Sequence, residues 1–449
     1  MIEILNNIES ELQSLDDLNS SIHEIFSVSF TLEKKIKFDS FHKSFHNLKN
    51  ISKFQLTNNG KSQFAVGKVD EIKLKYDQNV DQFQLPFMQL FNKIHIIKGQ
   101  IKPKLYGCFP FSNKKQSSVW GNLAYPTFFL PLIDFTIEES EIHITINFNS
   151  KFQIHNLIKH IKSSSNLAII SKDKLNSNFD PQSKIHWIEL CERAIHKINQ
   201  HEFEKVVLSM TKKIKHDKNL NHNYIIENLI SRQINSNIFL YQNEDDLTFF
   251  GASPEILIET KSNQLLTMAL AGTIKRDDDH LKDIELSKKL LKNKKEQLEH
   301  RIVLDDIIDT LSKFFDNNIM YDETPSILKL KNLQHLKTSI NVKYDDINYF
   351  GILEQMHPTP ALGGKPKLKA IQFIDQNESM SRGLYGGYLG CIDMDFNSKL
   401  IVGIRSALTN KDYTYLFAGA GIVKSSIPES EWNETVLKYS PLLDAMEVQ

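Results

Sequence analysis

Near the end of the chain, Glu431 and Glu434 stand three residues apart in Glu431-Trp432-Asn433-Glu434, and Lys438 follows four residues later. That spacing puts both carboxylates and the amine on one face of a helix. The preceding Gly419-Ala420-Gly421-Ile422-Val423 reads as a strand exit whose two glycines let backbone N–H groups approach an anion closely. Such a face suits a hard cation that in turn holds an acidic substrate. A second acidic pair, Glu296 and Glu299, is also one helical turn apart. Glu299 lies one turn before Ile302 and Val303, at the edge of an apolar stripe, so its carboxylate is expected to face inward. The third candidate is an amine. Residues 203–214 alternate as a strand does, with Val206, Leu208 and Met210 on one face and Lys205, Val207 and Ser209 on the other.

The elements that must hold these groups follow from periodicity and punctuation. Residues 171–184 cluster Asn, Asp, Ser and Pro and read as a surface connection. A helix over 185–199 is expected next, since Ile188, Leu190, Ile195 and Ile198 roughly keep helical spacing. Short strands at 238–241, 247–250, 256–259 and 265–269, joined by turns, suggest an antiparallel meander. From 280 to 315 no Gly or Pro interrupts a run rich in Lys, Glu, Leu and Ile, which predicts one long helix or two. His357-Pro358-Thr359-Pro360-Ala361-Leu362-Gly363-Gly364 is a turn-rich loop, and two strand pairs after it end at the glycine run. Residues 1–180 are rich in Lys, Asn and Phe, with β-like runs at 63–69 and 141–148 and no mechanism of their own. The pattern is α+β, with no internal repeat and no P-loop or dinucleotide fingerprint.

Composition limits the function classes. A chain of 449 residues with 41% hydrophobic content has ample core, enough for two or three average domains or one large one. Lys and Arg number 54 against 55 for Asp and Glu, so no general field favours nucleic acid or an anionic membrane, and any anion site must be local. Cys108, Cys191 and Cys391 lie far apart without pairing or metal spacing, as expected of buried thiols in a reducing compartment. The first residues lack a basic and apolar leader pattern, and the strongest apolar run, at 127–135, is too short to span a bilayer. A soluble, cytoplasmic protein is expected.

Seven motifs then occur in order: Lys205-Val206-Val207-Leu208-Ser209, Gly251-Ala252-Ser253-Pro254-Glu255, Ala269-Leu270-Ala271-Gly272-Thr273, Lys295-Glu296-Gln297-Leu298-Glu299-His300, His357-Pro358-Thr359-Pro360-Ala361, Arg382-Gly383-Leu384-Tyr385-Gly386-Gly387 and Glu431-Trp432-Asn433-Glu434. Together they resemble the chorismate-binding enzyme family, and within it isochorismate synthases most closely. The resemblance covers 185–449 well and 1–180 loosely, and the long N-terminal region slightly favours the menaquinone type over the siderophore type. It implies one structural domain with layered antiparallel sheets flanked by helices and an active-site cleft between the halves. The catalytic region would be 185–449, with 1–180 supplying sheet and wall to the same fold. A monomer is expected.

For the chemistry, the resemblance implies that water adds to ring C2 of chorismate while the C4 hydroxyl departs. Lys205 would be the general base and Glu255 the general acid. Such roles require a lysine pKa pushed down and a glutamate pKa pushed up by a closed, dry site. Glu299 and Glu434 would hold one Mg²⁺, with Glu296 and Glu431 as further ligands or orienting groups. Arg405, expected on a strand at 401–407, and Lys438 would bind the substrate carboxylates. Gly419, Gly421, Thr273 and Tyr385 would complete the anion cradle, and His357 and His335 would touch the ring or support the loop. Aminating relatives differ at the discriminating positions: aminodeoxychorismate synthases carry a lysine where Ala271 stands, and anthranilate synthases lack one at Lys205. Salicylate synthases share the lysine and are the alternative, as is an aminating or non-catalytic chorismate-binding subunit. Met210, which stands where the family often has an arginine, and Leu384 and Tyr388 depart from the family pattern without removing a charged catalytic group.

Overall fold

A computed structural model describes residues 2–15, 24–33, 45, 47–75, 80–112, 118–164, 181–216, 220–315 and 318–447. Met1 and 171–180 of the expected connection fall outside that set. Two large sheets organise the chain. One has twelve strands, the other ten. The first sheet runs through Lys205–Lys215, Tyr413–Val423, Ser406–Asn410, Thr248–Ser253 and Asn237–Gln242, and then continues into the N-terminal strands Lys53–Asn58, Lys61–Val66, Ile133–Glu138, Glu141–Phe148 and Ile25–Glu33. The second carries Leu333–Lys343, Gln264–Lys275, Ile256–Lys261, Ser398–Val402 and Tyr388–Asp393, followed by Lys104–Phe109 and Thr127–Leu130. Strands from both ends of the chain therefore share both sheets. The α+β expectation holds.

The expected meander is not a single one. Asn237–Gln242 and Thr248–Ser253 pair in the twelve-stranded sheet, whereas Ile256–Lys261 and Gln264–Lys275 pair in the other. Local alternation is the same in either sheet and could not reveal the switch, which falls at Pro254 and Glu255. The long helical stretch is two helices, His280–Lys292 and Lys294–Leu311. Asn293 separates them, and its side chain accepts from the N–H groups of Lys295 and Glu296, an N-cap that starts the second helix. The helix expected from 185 begins at Pro181 and runs to Asn199, because proline suits the first turn and the four preceding residues belong to the helix. No helix among the described residues is long and apolar enough to cross a membrane.

Packing places the helices where the site needs them. The principal core joins Val206, Leu208, Ala420 and Ile422 of the first sheet, Leu265, Ala269 and Ala271 of the second, Val303 and Ile307 of the second helix, and Trp432 of the C-terminal helix Pro428–Met446. Val303 and Ile307 are four residues apart, as an inward helical stripe requires. Burying large aliphatic side chains of this kind stabilises by roughly 1.5–3 kcal/mol each. The same stripe fixes the helix rotation that turns Glu299 inward.

Candidate active site

A cavity, open at its mouth, lies where the two sheets meet the second helix and the C-terminal helix. Its polar lining includes Glu255, Thr273, Glu299, His335, Tyr385, Arg405, Glu434 and Lys438, and Gly419 and Gly421 form part of the wall. Leu270, Leu362 and Phe417 add apolar surface. Nine of the expected site residues thus converge on one volume, together with His335.

Glu255 sits at the turn between Thr248–Ser253 and Ile256–Lys261, fixed by its backbone: its N–H donates to Ser253 Oγ at 3.3 Å, and its carbonyl accepts from Val402 N–H at 3.1 Å. The side chain is buried, and burial pushes its pKa up to about 8 against the opposing charges of Lys205 and Lys438. It is therefore a carboxylic acid that retains its proton at neutral pH.

Lys205 opens its strand with Val423 paired on one side and Lys365 on the other. The side chain is fully buried, and Nζ lies 3.0 Å from Glu299 Oε1. Lys205 is not itself in the lining; it meets the cavity through Glu299, which is. Gly421 makes this pairing possible. A Cβ there would lie 2.2 Å from Glu299 Oε1 and 3.0 Å from Lys205 Cε, so the Glu299 carboxylate would have to shift to admit it. Both glycines are inside the Tyr413–Val423 strand, opposite Val207 and Ser209, and not at its exit. Space, and not only backbone approach to an anion, is what they contribute.

The remaining cations are paired as well. Lys438 Nζ lies 2.7 Å from Glu434 Oε1, four residues earlier on the same helix, and donates to the Gly419 carbonyl at 2.7 Å. Burial opposes the charge on Glu434, yet Lys438 outweighs it and brings the carboxyl below its ordinary range. Glu296 and Glu431 are not in the lining. Lys295 Nζ reaches both, at 3.3 Å and 2.7 Å, and Glu296 also accepts the Thr273 N–H at 2.7 Å. Burial and the neighbouring Glu434 push the Glu431 carboxyl up to about 7. Lys295 went unassigned in the sequence, although it stands within the Lys295-Glu296-Gln297-Leu298-Glu299-His300 motif; a lysine in a Lys-rich helix reads as a solvated one.

Thr273 and His335 oppose each other across neighbouring strands, just past an irregularity at Gly272, whose φ of 79° is left-handed. His335 Nε2 is 2.6 Å from Arg405 Nη2, and Nδ1 is 3.2 Å from both Thr273 Oγ1 and the Gly272 carbonyl. A guanidinium only donates, so Nε2 accepts and the ring proton sits on Nδ1. Burial, with Arg405 and Lys438 nearby, lowers the His335 pKa to about 3 and keeps the ring neutral. Arg405 is not on a strand: it lies between Ser398–Val402 and Ser406–Asn410 with φ 49°. Burial lowers its pKa to about 10, which leaves it charged at neutral pH. Tyr385 stacks on Phe417 with ring centroids 5.4 Å apart.

His357 is not in the cavity lining, which leaves the loop-supporting alternative. It is buried, its Nε2 donates to the Pro110 carbonyl at 2.9 Å, and its ring packs edge-on against Phe109 and Tyr388. The turn-rich loop contributes Ala361 and Leu362 to the cavity instead. Tyr388, a departure from the family pattern, fills the core beside it.

For a cation, Glu299 and Glu434 both present hard oxygen donors to the cavity. Among the described residues no group of three or more His, Cys, Asp or Glu side chains converges to hold an ion. A two-carboxylate set fits Mg²⁺, which keeps several waters and completes its shell with substrate oxygens.

A profile described as chorismate binding enzyme matches residues 11–447. The chain is 29% identical over 386 residues to isochorismate synthase MenF of Bacillus subtilis, covering 82% of this chain and 79% of that protein. It is 35% identical over 266 residues to the salicylate biosynthesis isochorismate synthase of Pseudomonas aeruginosa, covering 59% of this chain and 55% of that protein. The fold matches the solved structure of MenF, the menaquinone-specific isochorismate synthase of Escherichia coli, with a TM-score of 0.81 at 23% identity over 98% of both chains.

Proposed function

Because the chain belongs to the chorismate-binding enzymes, we propose that it is an isomerase converting chorismate to isochorismate with Mg²⁺. The observation that carries this reading is Glu255, a buried carboxyl whose pKa is raised to about 8 in a cavity that also presents Arg405 and Lys438. A proton donor is what departure of an allylic hydroxyl needs. Relatives that are named isochorismate synthases, among them the Bacillus subtilis protein, support the same assignment.

In this mechanism Arg405 and Lys438 bind the two carboxylates of chorismate, an arginine fork suiting a planar carboxylate. Glu299 and Glu434 would hold the metal ion, which would supply a double positive charge to anchor a substrate carboxylate. His335 orients Arg405 by accepting from Nη2. Lys205 acts as the base that takes a proton from water as oxygen bonds to C2. The ring double bonds shift, and Glu255 gives its proton to the C4 hydroxyl, which leaves as water. One water enters and one departs, so atoms balance. Tyr385, Thr273 and the Gly419 and Gly421 backbone complete the walls that hold the ring. Residues 185–449 form the catalytic region, and 1–180 extend the same fold.

Incubating purified protein with chorismate and Mg²⁺ and separating the products by chromatography tests the assignment. Isochorismate alone is expected. Salicylate with pyruvate would reassign the chain to the eliminating enzymes, and turnover only with added ammonia or a glutaminase would make it an aminating subunit.

A further inference from the structure

Arg382 opens one of the seven ordered motifs, yet neither it nor its ion-pair partner Glu378 lines the cavity. Resting on the isomerase reading above, we infer that this pair takes the place of a neighbouring strand beside Lys205–Lys215 and so positions the Lys205 side of the cavity for the reaction. That strand is paired along its whole length with Tyr413–Val423, but on its other side only Lys205 and Val206 pair, with Lys365 and Gly364. The Val207 N–H still reaches the Gly363 carbonyl at 3.0 Å. Beyond that point no strand among the described residues lies beside the edge.

Two backbone groups of the edge turn to the ion pair instead. Arg382 Nη2 donates to the Val207 carbonyl at 2.6 Å, and the Ser209 N–H donates to Glu378 Oε1 at 2.8 Å. One donor and one acceptor thus meet the edge, as the alternating groups of an antiparallel neighbour would. The pair itself is a fork: Arg382 Nε donates to Glu378 Oε2 at 2.9 Å and Nη2 to Oε1, while Ser209 Oγ donates to Oε2 at 2.8 Å. Arg382 Nη1 reaches the Leu362 carbonyl at 2.8 Å, and its guanidinium lies 5.9 Å from the Tyr385 ring. Val207, Leu362 and Tyr385 all line the cavity. One guanidinium therefore ties the strand that begins at Lys205 to the turn-rich loop and to the aromatic wall. Both side chains are buried, and desolvation offsets much of the attraction in a buried ion pair, so net stability does not account for it. What the pair supplies is geometry, which a planar fork of donors fixes and a lone ammonium does not. Neither side chain reaches the cavity, so both are positioning residues.

The test compares Glu378→Gln, which removes the charge, and Arg382→Lys, which keeps the charge and loses the fork, with Asp134→Asn. The last breaks another buried ion pair, to Lys104 at 3.3 Å, outside the cavity. In variants that fold by circular dichroism, kcat for chorismate is expected to fall about 10²-fold in the first two, as a misplacement of about 1 Å would cost, with KM changed by less than about threefold. Asp134→Asn is expected to keep kcat within about twofold. Hydrogen exchange followed by mass spectrometry should be faster over 205–211 in the first two variants only, a readout that needs no turnover. Glu378→Asp, which keeps the charge and shortens the reach, replaces the glutamine variant if that one does not fold, with the same expectation. A kcat within about twofold of the natural protein in folded Glu378 and Arg382 variants overturns the inference, as does an equal loss in Asp134→Asn or unchanged exchange over 205–211. A natural protein inert towards chorismate overturns the isomerase reading, and the exchange rates then decide separately whether the pair holds the edge.

Discussion

Replacing Glu255 with glutamine separates the acid role from packing, because the amide keeps shape and loses the transferable proton. With a pKa of about 8, about nine molecules in ten are protonated at pH 7 and about one in ten at pH 9. The natural enzyme should therefore show kcat falling about tenfold per pH unit above roughly pH 8. In Glu255→Gln, kcat should drop about 10²–10⁴-fold at pH 7, the usual worth of a general acid, with KM for chorismate changed by less than about threefold. Any residual activity should lack the alkaline limb. Stability gives a second, independent readout. Glu255 has a raised folded pKa, so the folded state binds more protons than the unfolded one between about pH 4.5 and 8, and stability falls as pH rises through that window. The loss amounts to about 4 kcal/mol by pH 8. Glutamine carries no such loss, so the variant should melt a few degrees above the natural protein at pH 8 and level with it near pH 5. Stopped assays by chromatography and calorimetric melts check both. A variant keeping more than about a tenth of kcat, or an unchanged alkaline limb, would refute the acid assignment.

Lys205→Ala should abolish turnover while calorimetry still detects Mg²⁺-dependent chorismate binding; full activity in that variant removes Lys205 as the base. Gly421→Ala places a methyl 2.2 Å from Glu299 Oε1, so kcat/KM should fall at least about 10²-fold and Mn²⁺ affinity should weaken; unchanged Mn²⁺ binding would show that Glu299 is not a ligand. His357→Leu removes the bond to the Pro110 carbonyl, so unfolding by denaturant should show a loss of about 1–3 kcal/mol with kcat within about twofold. A large kcat loss at full stability would return His357 to the site.

Much of the site was legible because its residues are carried by short motifs with fixed spacing. Glu431, Glu434 and Lys438 fall on one helix face by arithmetic alone, and Glu299 faces inward because Val303, four residues later, is core. What escaped was long-range. No local pattern tells which sheet a strand joins, so the change of sheet at Glu255 was hidden. His357 drew attention as a histidine in a Pro-rich loop, but its partner, Pro110, is 247 positions away. Lys295 is paired with Glu431 from a distant helix, a contact that no local pattern encodes.

The two departures from regular strand geometry explain why the site is where it is. At Pro254 and Glu255 the chain passes from the twelve-stranded sheet into the ten-stranded one, and near Arg405 it passes from the ten-stranded sheet into the twelve-stranded one. These crossings touch: the Ala252 N–H donates to the Arg405 carbonyl at 3.1 Å, and a Cβ on Gly251 would lie 2.4 Å from that carbonyl oxygen. Inside a sheet a side chain faces one layer or the other, and its neighbours share its environment. At a crossing the side chain can point along the seam, where a buried acid and a buried guanidinium are held by backbone on both sides. Paired β-structure thus sets the spacing between the Glu255 carboxyl and the Arg405 guanidinium, and rigid elements hold such constellations more precisely than mobile loops do. The Gly251-Ala252-Ser253-Pro254-Glu255 motif is therefore readable as a sheet exchange: glycine admits the second crossing, proline ends the first strand, and glutamate takes the seam.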